Sequence, residues 1–156
     1  MNSLVSALAP VKNQSRLIPI VVGGTMAGGL DLISAFLTFG WGVPRAIAAG
    51  LLGRQVLHGG LGPWLLGLCL HFFIACSAAA VYCLSSNRLG FLKENFIVCG
   101  LFYGVAVFLV MNLVVLPLSA LHSAGPYQLR GLIQGLLIHM LVIGLPISFS
   151  AWRFSR

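Results

Sequence analysis

The stretch FIVCGLFYGVAVFLVMNLVVLPL, Phe96–Leu118, carries no charged side chain and one strongly polar residue, Asn112. Crossing about 30 Å of hydrocarbon takes roughly 20 apolar residues in a helix, so this run reads as a membrane span. Working outward, three more runs qualify: about Leu17–Phe39, Pro63–Leu84 and Gly131–Trp152. All four are expected to be helices, because an open sheet would leave backbone groups unpaired in lipid. The predicted fold is an all-α membrane protein, a four-transmembrane-helix bundle forming one domain over residues 1–156.

Composition agrees with this reading. The chain of 156 residues is 59% hydrophobic and 7% charged, with a mean hydropathy of +1.02. Soluble domains carry about 25% charged residues. Nine Lys and Arg with two acids cannot keep a globule of this size wet, so lipid is the main solvent. The formal charge of +7 does not imply nucleic acid, since no basic cluster alternates with aromatics. The cations flank apolar runs, where they set topology and meet anionic head groups; membrane lipid is the expected partner. The segment MNSLVSALAPVKNQSR before Leu17 is polar. The apolar run after it is too long for a signal peptide, so it reads as a retained first span.

Between the first and second spans lies GWGVPRAIAAGLLGRQVLHGGLG, Gly40–Gly62. Pro44 suits the first turn of a helix and Gly59-Gly60 its end. A helix over about 44–57 would be roughly 21 Å long, too short to cross. It is expected at the interface or as a re-entrant segment. Four spans put both termini on one side, with Lys12, Arg16, Arg88, Lys93, Arg153 and Arg156; the other side holds Arg45, Arg54 and Arg130. That imbalance places both termini in the cytoplasm.

Three spans carry glycines four apart: Gly24 and Gly28, Gly100 and Gly104, Gly131 and Gly135; the second has Ala75 and Ala79 instead. Small residues at this spacing let backbones approach closely in lipid. The four cysteines, Cys69, Cys76, Cys83 and Cys99, read as small packing residues. The first three fall on one helical stripe about 10 Å apart, too far for a bridge.

Each span holds a strongly polar residue that stands out: Asp31, His71, Asn112 and His139. Asp31 shares its face with Gly24, Ala27, Gly28, Ser34, Ala35 and Thr38, all small or polar, so that face should look into the bundle. Counting at 1.5 Å per residue puts all four at about 9–12 Å below one end of the bundle. A carboxylate in a span faces a partner or a water-filled cavity. The expected partner of Asp31 is a histidine, with Arg54 of the short helix as the other counter-ion. The four form the candidate site; a layer of hydrogen bonds that only fixes helix register would explain the same residues.

The segments LVMNLVVLPLSA, Leu109–Ala120, and GLLIHMLVIGLPIS, Gly135–Ser148, resemble those of small bacterial four-span inner-membrane proteins, as do GLLGR and LGLCLH. HFFIACSAAAVYC resembles the histidine-bearing helix ending in Tyr-Cys of the YagU-type family. The resemblance implies a membrane architecture and no particular activity.

The expected function is that of a non-catalytic bundle acting as a membrane subunit or scaffold. A second copy or another membrane protein would be its protein partner. One alternative is a proton-responsive or small-solute conduit using Asp31, His71 and His139, since histidine titrates near neutrality. Another is a bis-histidine haem protein with His71 and His139 as axial ligands. Catalysis is not expected: the spans hold one acid and no GxSxG nucleophile. No HExxH or CxxC spacing points to a metal, and no cofactor is expected.

Overall fold

The computed structural model describes residues 17–122 and 128–154. The polar N-terminal segment with Lys12 and Arg16, and also Arg156, lie outside the described residues. Four helices are long and apolar enough to cross a membrane: α1 Leu17–Phe39, α3 Leu61–Ser86, α4 Phe96–Leu118 and α5 Leu129–Phe154. A shorter helix, α2 Val43–Leu52, lies between the first two. No strand occurs among the described residues. The protein is an all-α four-span bundle. The bounds of α1 and α4 match the apolar runs; α3 and α5 each extend two residues further at both ends.

Lipid is the solvent of the outer surface. Leu37 is 85% exposed, Phe102 71% and Leu118 79%, and these side chains would be untenable in water on this scale.

The helices form a ring in the order α3, α1, α5, α4, with close pairing of α1 with α3, α1 with α5, and α4 with α5. Small residues set these contacts. A Cβ on Gly24 would meet the Cys76 backbone at 2.7 Å, and one on Gly28 would meet Phe72 and Ala75. Gly100 lies against Ser148, and Gly104 against the backbone of His139 and Met140. The third glycine pair behaves differently. Gly131 faces open space and Gly135 meets only the Phe108 ring, so Gly131 is not a packing glycine. Gly144 takes that role, abutting the backbone of Gly100 and Gly104. The sequence spacing was right in kind, but the face of α5 that packs begins a turn further on.

The α3–α4 side of the ring is slighter and is closed by other means. In the half away from α2, Tyr103 donates to the Ala78 carbonyl at 2.7 Å and Tyr82 to the Leu92 carbonyl at 2.9 Å. Their rings meet edge-on at 4.9 Å. Around them Ala27, Ala79, Cys83, Ile147 and Ala151 are buried in a small apolar core. Ser150 ties α5 to α1, donating to the Pro19 carbonyl at 2.8 Å. The four cysteines are free thiols.

In the other half, α2 occupies the α3–α4 side. Gly40, at φ 77°, ends α1 and returns its N–H to the Phe36 carbonyl, a left-handed cap that favours glycine. The Trp64 indole then donates to the Trp41 carbonyl at 3.1 Å. Pro44 sits in the first turn of α2, and its carbonyl rests where a side chain on Gly67 would stand. Gly67 is about 9 Å along α3, so α2 is set into the bundle rather than laid across its end. Gly53, at φ 91°, ends α2 at Leu52. The expected helix over 44–57 is therefore shorter, followed by a single 3-10 turn at Arg54–Val56. The Gly50 carbonyl accepts the Ala120 N–H at 2.7 Å, fixing α2 to the end of α4.

Candidate functional site

Two of the spans are not regular. Met111–Val115 in α4 and His139–Gly144 in α5 are π-helical. Each is followed directly by Leu-Pro, at Leu116-Pro117 and Leu145-Pro146. Proline has no N–H to offer and its ring collides with the carbonyl four residues back. Widening the preceding turn relieves that collision, and π turns of this kind recur at functional sites. The repeated Leu-Pro marks both segments in the sequence, a signal that a reading by regular period passes over.

Between α1, α3 and the two π segments lies a cavity of about 810 Å³, bounded by α2 near the end of the bundle. Asp31, His71 and His139 all line it. Three of the four polar residues singled out in the spans therefore meet at one space. Most of the remaining lining is aliphatic, including Ile47 from α2, Ile74 from α3, Met111 and Val114 from the first π segment, and Ile143 from the second. Ser119 joins them from the end of α4; its place could not be read from periodicity, because it follows the helix.

Asn112 is the fourth. It begins the second position of the π segment and donates from Nδ2 to the Phe108 carbonyl at 2.9 Å. It does not line the cavity; its neighbour Met111 does.

The histidines make hydrogen bonds other than those expected. His71 Nε2 lies 2.8 Å from the Gly28 carbonyl, bridging α3 to α1. His139 Nδ1 lies 2.8 Å from the Gly135 carbonyl within its own helix, and its ring stands edge-on to Phe108 at 5.4 Å. Neither pairs with Asp31. Among the described residues, Asp31 has no hydrogen-bond or ion partner, and the residue lines the cavity. Arg54 is exposed in the 3-10 turn and does not line the cavity. The counter-ion role expected for it has no geometric support. The carboxylate meets the second condition for an acid in a span, an accessible cavity, rather than the first, a partner.

No group of three or more His, Cys, Asp or Glu able to hold a metal occurs among the described residues. A haem held by His71 through Nε2 would have to break the bond to Gly28, so the donor geometry does not favour the bis-histidine reading.

No family model, curated protein or solved structure matches the chain.

Proposed function

We propose that the protein is a non-catalytic intramembrane binding module that holds a small, largely apolar solute among its helices. The observation that carries this is the cavity itself: about 810 Å³, aliphatic over most of its wall, with Asp31, His71 and His139 at its border. Small-molecule sites have this size and makeup, a mostly apolar pocket with a few placed polar groups. A scaffold needs helix contacts but has no use for a space this large, which forgoes packing.

The same three groups also suit a proton-responsive or small-solute conduit. Against a continuous path stands the apolar core of Ala79, Tyr82, Cys83, Ile147 and Ala151, which lies between the cavity and the opposite end of the bundle. A conduit would have to part those residues. Binding from one side or from the bilayer requires no such movement.

The setting we propose is the bacterial inner membrane with both termini cytoplasmic, supported by the cation imbalance. The resemblance to small inner-membrane proteins of YagU type points the same way. Any association with a second copy or another membrane protein would use the lipid-facing surface.

Native mass spectrometry of protein extracted from its own membrane tests the reading. Wild type should carry a small-molecule adduct that Asp31→Leu loses while keeping its helical content and elution volume. Equal retention by the variant would contradict the assignment of the cavity.

A further inference from the structure

The hydrogen-bond directions around the cavity restrict what could bind there. Four of its lining side chains carry nitrogen or oxygen: Asp31, His71, Ser119 and His139. A carbonyl oxygen has no proton to give, so any ring nitrogen bonded to one must carry the hydrogen. His71 is thus protonated at Nε2, facing the Gly28 carbonyl, and its Nδ1 is left as a lone-pair acceptor when the ring is neutral. His139 is the mirror case: Nδ1 donates to the Gly135 carbonyl and Nε2 remains the acceptor. The Ser119 hydroxyl donates to the Leu116 carbonyl at 2.7 Å, which leaves only oxygen lone pairs. An ionised Asp31 is acceptor-only by nature. Neither lysine nor arginine lines the space.

Every one of these side chains has its proton engaged on backbone, or has none. We infer that the cavity is an acceptor-only site selective for an amphipathic cation bearing N–H donors, a protonated alkylamine on an apolar body. This rests on the reading of the cavity as a binding site and adds the class of ligand. An anion would meet the Asp31 carboxylate with no donor to offset it. A quaternary ammonium would satisfy the charge but leave the acceptors unpaired, which costs affinity inside an apolar wall. A donor-bearing cation satisfies both, and the aliphatic wall accommodates its chain.

The test uses the full chain in phosphatidylcholine nanodiscs, with n-octylammonium, octan-1-ol, n-octanoate and octyltrimethylammonium as probes and empty nanodiscs as reference. Octylammonium should bind saturably and about tenfold more tightly than octanol, as expected for a hydrogen bond to a charged group. Octanoate should not bind above the reference, and octyltrimethylammonium should be several-fold weaker than octylammonium. Asp31→Asn, which brings two N–H donors into the site, should lose about tenfold for octylammonium. Helical content and elution volume equal to those of wild type show that this variant is folded, and Asp31→Glu should restore the preference. Octanoate binding as well as octylammonium, or an unchanged Asp31→Asn, would overturn the inference. If octanol, octanoate and octylammonium all bound alike, the cavity would stand as a binding site and its selectivity would not. Binding by none of them would remove both.

Discussion

Asp31 is the one acid in the described spans, and its lack of a partner has a consequence for stability. Breaking a buried ion pair costs several kcal/mol because the other charge is stranded. Here no charge would be stranded, since Asp31 lines a cavity that no lysine or arginine lines. Asp31→Leu should therefore leave the thermal midpoint in detergent unchanged or raised, while ligand binding is lost. A fall of about 2 kcal/mol or more would reveal a partner that the geometry does not contain. His71 differs, because its Nε2–H joins two helices. His71→Phe should cost about 0.6 kcal/mol, typical of an interhelical bond in a membrane, measured by reversible unfolding in mixed micelles. The sequence made Asp31, His71 and His139 visible because polar residues in apolar runs stand out, and the structure brings all three to one cavity. It could not tell which atoms they bond, since the acceptors are backbone carbonyls that every residue carries. The pairing expected between Asp31 and a histidine failed for that reason.

Among the elements, glycine spacing separates into positions that pack and positions that do not. A Cβ at Gly104 would fall on the backbone of His139 and Met140, whereas one at Gly131 would meet nothing within 4 Å. Gly104→Ala should lose about 1–3 kcal/mol of stability by forcing α4 and α5 apart. Gly131→Ala should be neutral or slightly stabilising, as at any helical glycine with free space. Equal effects of the two in the same unfolding assay would contradict the α4–α5 crossing. The π segments make a second case. Pro146→Ala restores an N–H and removes the collision that holds the wide turn open. It should let His139–Gly144 tighten, turn His139 away from the cavity, and lower ligand binding without lowering stability. Helix existence and length were legible from the apolar runs, to within two residues at each end of α3 and α5. The π turns were not, because period-3.6 reasoning assumes a regular helix. Asn112 was placed by depth alone, which does not say which way a side chain faces, and it does not line the cavity.

For the whole molecule, the four-span helical bundle followed from the apolar runs, each about as long as a helix needs to cross the hydrocarbon. The cavity did not follow, because it depends on α2 standing in the α3–α4 side. Gly67, which admits the Pro44 carbonyl, looked like one glycine among many. Orientation remains a matter of cations: a periplasm-dependent reporter fused after Arg156 should be inactive, and activity there would invert the assignment. Asp31, His71 and His139 share one space among the helices, and binding there depends on it. Nitroxide labels at 31, 71 and 139, in a background with Cys69, Cys76, Cys83 and Cys99 replaced, would be compared with labels at Phe102 and Leu113 for collision with oxygen dissolved in the acyl chains. The reference positions are 71% and 64% exposed and should collide freely, while the three interior labels should collide several-fold less. Collision rates at 31, 71 and 139 equal to those at 102 and 113 would place these residues in lipid.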